Sequence, residues 1–340
     1  MTVPAPAAFR PHLLARGGHR QTMLGYWLRR QLAWTPPTED VVLDAEPGVQ
    51  LLLRMSWQPG PRAERPLLLL VHGLGGWDAA KYGLSTGLLA WEQGWHVARM
   101  NMRGAGDAAR LSARLYNAGL DGDLLVVLQA LAAQVGHIGI AGFSLGGSLA
   151  LLTLGRRAGA IPGPVAALAA ISAPLDLLDC VSALERLGNR GYQGYFMRNL
   201  RASYRHRQQL HPGLYQAGLE LRLRTVREFD ELVTAPLGGY RDAADYYRTS
   251  SAGPWLRAIE RPTLILNAAD DPLVPVESVL RFPLPASGQV QREVLPTGGH
   301  VGFVAPTTAP GRFWAAERVM EFLRAHPPAE PRRPPVSPAP

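Results

Sequence analysis

The sequence predicts an α/β fold: a mostly parallel sheet with helices on both faces and a helical insertion capping one end. Solidly apolar runs of strand length recur, among them residues 66–72 (PLLLLVH), 137–143 (HIGIAGF) and 165–172 (VAALAAIS). Segments with helical spacing separate them, and strands that are apolar on both sides need cover on both faces, as in a parallel sheet. The alternation then lapses between about 179 and 254, where no core strand can be placed.

In chain order, residues 1–36 mix Pro, Gly and aromatics and read as irregular. Residues 41–43 and 49–55 form a leading hairpin, and 66–72 a buried strand. A helix spans 78–93, a strand 95–100 (WHVARM) and a helix 120–134. The strand 137–143 leads into a helix over 145–156, and 165–172 is the next strand. After the insertion come strands at 262–267 (PTLILN) and 291–295, and a last helix over 313–325. The core thus covers 37–178 and 255–326, with the cap at 179–254. The Pro-, Ala- and Arg-rich tail 327–340 reads as disordered. Within the cap, arginines (Arg190, Arg198, Arg201, Arg205, Arg207) mix with Tyr192, Tyr195, Phe196 and Tyr204, and 219–233 reads as a charged amphipathic segment.

Composition narrows the function. The 340 residues are 47% hydrophobic and 18% charged, which excludes disorder over most of the length. Cys180 is the only cysteine, so a disulfide framework, a Cys-based zinc site and CxxC redox chemistry are excluded, and a cytoplasmic address is the expectation. The formal charge is +8, and Lys81 is the one lysine among 35 basic residues. That skew fits a GC-rich coding sequence better than selection for phosphate contacts, and no helix-turn-helix, RNP or zinc-finger pattern accompanies the charge, so nucleic acid is not an expected partner. No run approaches the ~18 apolar residues of a membrane span. Peripheral contact with a membrane inner face is the remaining lipid expectation, through an arginine-rich outer face of the cap.

One motif carries chemistry. Gly142-Phe-Ser144-Leu-Gly146 matches G-x-S-x-G, in which a tight strand-to-helix turn holds a nucleophilic serine above the sheet. A second match, Gly83-Leu-Ser85-Thr-Gly87, shows that the pattern alone does not decide. Ser144 follows a strand and opens a helix, whereas Ser85 lies inside a helical pattern. The glycine-rich turn His72-Gly73-Leu74-Gly75-Gly76 ends a strand, where backbone N–H groups can face a site. With it, Leu74 and Leu145 become the candidate oxyanion donors, and His72 reads as structural. His300, in Gly298-Gly-His300-Val-Gly-Phe303, is the one histidine in the glycine-rich loop directly after the last core strand. Asp270 and Asp271 follow the strand PTLIL. The spacing to Pro275 favours Asp271, with Asp270 the competitor and Asp176 and Asp179 distant alternatives. The order Ser144…Asp271…His300 is that of an α/β-hydrolase triad, with His300 as base, Asp271 as its orienter, and no cofactor or metal required. Arg103, in the loop NMRGAG, reads as a structural brace, with an anionic substrate group as its other reading.

Over nearly its whole length the chain resembles the YheT-like hydrolases of the α/β-hydrolase superfamily, relatives of ABHD-type lipid esterases. The resemblance rests on Gly18-His-Arg-Gln-Thr22, HGLGG at 72–76, Asn101-Met-Arg-Gly-Ala-Gly106, GFSLGG at 142–147, Ser172-Ala-Pro-Leu-Asp176, Thr225-Val-Arg-Glu-Phe-Asp230, Tyr246-Tyr247, DDPLVP at 270–275 and GGHVGF at 298–303. It implies carboxylic-ester hydrolysis of short-chain esters or acylglycerol-type lipids. An acyltransferase or peptidase on the same triad, and an inactive binding protein on the fold, are the rival readings.

Overall fold

The computed structural model describes residues 8–306 and 313–328. The predicted tail therefore falls, from residue 329 on, outside the described residues. Eight strands form one sheet: β1 (Glu39–Glu46), β2 (Val49–Ser56), β3 (Leu67–Val71), β4 (His96–Asn101), β5 (Ile138–Phe143), β6 (Val165–Ile171), β7 (Thr263–Ala268) and β8 (Val290–Leu295). Their spatial order is β1-β2-β4-β3-β5-β6-β7-β8. The β1/β2 and β2/β4 pairs are antiparallel, and every pair from β4/β3 to β7/β8 is parallel.

The strand periodicity of two sends alternate residues to opposite faces. In β3, Leu67, Leu69 and Val71 join the core under helices Asp121–Ala132 and Leu145–Arg156. Leu68 and Leu70 join the core under helices Lys81–Glu92 and Trp314–Ala325. This double cover is why the central strands carry no polar alternation.

Between β6 and β7 the chain is helical, chiefly Leu177–Leu184, Arg190–Leu210 and Ala243–Ser250. These helices enclose a third apolar cluster, including Val181, Met197, Leu200, Tyr204, Phe229, Tyr246 and Tyr247. Arg207 ties the long helix to the core. Its buried guanidinium donates to the carbonyls of Ser112 (2.9 Å), Arg114 (3.1 Å) and Gly104. Arg201 likewise bonds the Leu223 carbonyl. Two of the five arginines in this stretch are thus structural, while Arg190, Arg198 and Arg205 remain exposed.

One segment refines an expectation and another departs from it. Residues 219–233, read as a charged amphipathic segment of a helical insertion, are helical in pieces. They break into Leu219–Arg222, Val226–Phe229 and a π-helical turn, Asp230–Thr234. Thr225 causes the break, because it caps a new helix reciprocally with Glu228. And within the N-terminal stretch expected to be irregular, Gly18–Arg29 is a helix. Among the described residues, no helix is long and apolar enough to cross a membrane.

Candidate active site

The site lies at the carboxyl ends of the parallel strands, where open α/β sheets bind ligands. Ser144 turns sharply between β5 and the helix Leu145–Arg156, with φ +51° and ψ −122°. Such a backbone is unfavourable for a side-chain-bearing residue and persists only when its surroundings enforce it. They do so by close packing: a Cβ on Gly146 would lie 2.3 Å from the His72 carbonyl oxygen, and one on Gly142 would lie 2.7 Å from the Gly146 oxygen. The glycines of the motif are therefore steric requirements. Ser85 has no such turn. It lies within helix Lys81–Glu92, and its hydroxyl donates to the Tyr82 carbonyl.

Ser144 Oγ lies 3.0 Å from His300 Nε2. On the other side of the ring, His300 Nδ1 lies 2.9 Å from Asp271 Oδ2. The Asp271 carboxylate also accepts the N–H groups of Leu273 (2.8 Å) and Val274 (3.0 Å), which fixes its orientation. With Nδ1–H donating to the carboxylate, the ring keeps that tautomer and Nε2 is left as the acceptor that faces the serine. Asp270 points elsewhere. It accepts from the N–H groups of Gly298 and Gly299 (2.9 Å each) and from the Thr297 hydroxyl, holding the histidine loop rather than the histidine. Asp176 and Asp179 both pair with Arg281, away from His300.

The turn at 72–76 leaves one donor open. Gly73 N–H donates to the Tyr82 hydroxyl (2.7 Å), Gly75 N–H to the Tyr116 hydroxyl (2.7 Å) and Gly76 N–H to the Gly73 carbonyl (3.0 Å). No partner for Leu74 N–H or Leu145 N–H occurs among the described residues, and both residues line the same cavity as Ser144. His72 stiffens this turn. Its Nε2 accepts Met102 N–H (3.1 Å), so Nδ1 carries the proton and donates to the Gly73 carbonyl (2.9 Å). Burial pushes its pKa down to about 4, which keeps the ring neutral. Arg103 forms a buried fork with Asp123 (2.9 and 2.5 Å) and reaches Glu46, so it braces loops rather than facing the cavity.

The cavity has a volume of about 340 Å³, and residues of the cap segment line it beside Ser144 and His300. Leu177, Val181, Phe196, Leu200 and Phe229 make its walls apolar, while Asn199, Ser203 and Asp230 add polar points. Asp230 accepts from the Tyr247 hydroxyl (2.8 Å). It is half-buried, with part of its surface open on the cavity. Desolvation pushes its pKa up to about 6.

Sequence reasoning missed the support supplied by helix Gly18–Arg29. Thr22 Oγ1 accepts the His300 N–H (2.8 Å) and donates to the Gly18 carbonyl (2.8 Å). Gln21 pairs with both backbone groups of Val304 (2.7 and 3.2 Å). Arg29 donates to the carbonyls of Val301 (2.9 Å) and Gly302 (3.1 Å). The available signal was the spacing of Gly18, Gln21, Thr22, Gly25 and Arg29, a helical stripe composed of small and polar residues instead of apolar ones.

Residues 66–305 match the alpha/beta hydrolase fold family. The chain is 34% identical to YheT of Escherichia coli (strain K12) over 312 residues, spanning 91% of this chain and 90% of that protein. It is 28% identical to a monoacylglycerol lipase of Saccharomyces cerevisiae, over 76% of this chain, and 29% identical to phospholipase ABHD3 of Mus musculus, over 71% of it. In each of those two comparisons it spans 59% of the longer relative. Among solved structures, the Pyrococcus furiosus esterase Pf2001 superposes with a TM-score of 0.57 over 87% of this chain and 97% of that one, at 18% identity, a likeness of fold. The chain belongs to the α/β-hydrolase superfamily, in its YheT-like group.

Proposed function

We propose that this protein is a serine hydrolase of carboxylic esters, with short-chain esters or acylglycerol-type lipids as substrates. The observation that carries the reading is the continuous hydrogen-bonded line from Ser144 Oγ through His300 to Asp271, opening on an apolar-walled cavity. His300 Nε2 takes the hydroxyl proton as Ser144 Oγ attacks the ester carbonyl. The developing oxyanion falls to the Leu74 and Leu145 N–H groups, each such donor being worth roughly 3 kcal/mol of barrier. The imidazolium, held by Asp271, returns the proton to the departing alcohol. Water, deprotonated in turn by His300, then releases the acid from the acyl-enzyme. The apolar walls suit an acyl chain, and the lipid-directed names of the yeast and mouse relatives support a lipid ester.

A p-nitrophenyl ester series of increasing chain length, set beside a monoacylglycerol, tests this. Ester turnover and fluorophosphonate labelling are expected for the native chain, and Ser144→Ala is expected to lose both, with turnover down at least about 10⁴-fold. A folded native chain that neither labels nor turns over any ester would sink the reading.

A further inference from the structure

Helix Gly18–Arg29 wears its polarity the wrong way round for a surface helix. Gly18, Gln21, Gly25 and Arg29 are buried. Met23, Tyr26 and Trp27, which share one face at i, i+3 and i+4, are 59%, 54% and 60% exposed. The preceding turn adds Leu13 and Leu14, at 71% and 78%. Large apolar side chains this exposed mark a surface made to be covered.

The charge of the segment that carries them has one sign. Residues 1–38 contain five arginines and no Asp or Glu. Arg29 is buried against the histidine loop, whereas Arg10, Arg16, Arg20 and Arg30 are exposed and make no ion pair among the described residues. The patch runs on to the long cap helix, where Tyr195 meets Tyr26 edge-on at 6.2 Å and carries the exposed Arg198 at 5.8 Å.

From these observations we infer that the N-terminal helix and its preceding turn dock on an anionic lipid surface. Trp, Tyr, Leu and Met flanked by arginine is the composition of helices that lie in the headgroup region. A second copy of the chain fits badly. A two-fold contact would set the same unpaired arginines against one another with no acid to answer them. The inner side of the helix holds His300 through Thr22, so docking would place the histidine loop about one helix diameter, ~10 Å, from the lipid. This deepens the ester-hydrolase reading, on which the purpose of the surface rests, and assigns lipid contact to the N-terminal helix rather than to the cap arginines.

Co-sedimentation of the full chain with vesicles tests the inference. One set is pure phosphatidylcholine, and the other contains roughly one-third phosphatidylglycerol. Preference for the anionic vesicles is expected, weakening from about 0.1 M to about 1 M salt. Arg16→Gln with Arg20→Gln should weaken anionic binding about 25-fold, taking about 5-fold per arginine. Met23→Ser with Trp27→Ser should weaken binding to both vesicles about 10-fold or more, while turnover of a water-soluble short ester stays within about 2-fold of native. Equal affinity of the native chain for both vesicles, variants that bind like the native chain, or a native dimer dissociated by the Met23/Trp27 pair would each overturn the inference. Ser144→Ala should bind vesicles as the native chain does. Vesicle binding without any ester turnover would therefore defeat the catalytic reading and leave the docking surface standing.

Discussion

Thr22→Val isolates the contribution of the N-terminal helix to the histidine. Valine preserves the β-branched shape but removes the oxygen that accepts the His300 N–H at 2.8 Å. A buried donor left without a partner costs about 1–3 kcal/mol, and this part-buried one the lower part of that range. The loop keeps its other anchors: Asp270 on the N–H groups of Gly298 and Gly299, Ser172 Oγ on the Val301 N–H (3.0 Å), and Gln21 and Arg29 on residues 301–304. The structure therefore holds while His300 loses the constraint on its own backbone. If the cost is relieved by displacement of His300, kcat falls with the population still engaged, and ~1–2 kcal/mol corresponds to about 5- to 30-fold. KM for a p-nitrophenyl ester should stay within about 2-fold, because Thr22 does not line the cavity. Thr22→Ser, which restores the oxygen, should recover most of the loss. Unaltered kcat in the valine variant, or a serine variant as impaired as the valine one, would refute positioning through this bond.

Three further outcomes are expected. Ser85→Ala should keep ester turnover and fluorophosphonate labelling near native, since its hydroxyl donates to the Tyr82 carbonyl inside a helix; loss of labelling in a folded Ser85→Ala chain would contradict the choice of Ser144. Gly146→Ala should destabilise by about 3 kcal/mol or more in urea unfolding, because its Cβ would meet the His72 and Val71 carbonyl oxygens at 2.3 and 2.4 Å; a native-like midpoint would show that the elbow can yield. Asp230 has its pKa raised from 3.8 to about 6. The native state thus binds more protons between about pH 4 and 6, and stability falls as pH rises through that window. Asp230→Asn should gain on the native chain by up to about 3 kcal/mol between pH 4 and 7, and a difference in stability that does not vary with pH would contradict the shift.

Sequence and structure divide along a physical line. The core strands were legible because burial on both faces writes itself locally, as in PLLLLV and VAALAAI. The turn at Ser144 was legible because only glycine fits at 142 and 146, and composition records that steric demand. The charge pattern of 219–233 marked a helical insertion but did not say where its helix breaks, which the Thr225–Glu228 capping box decides. Between Asp270 and Asp271 the sequence offered a spacing preference. What each carboxylate touches depends on a loop that arrives from residues 297–300, and only the folded chain brings it there. The N-terminal helix shows the limit most plainly. Its inward stripe, buried Gly18, Gln21, Gly25 and Arg29 with half-buried Thr22, has no hydrophobic period to detect. The helix is held by hydrogen bonds to backbone groups more than 270 positions away, and those partners exist for it only once the tertiary structure has formed.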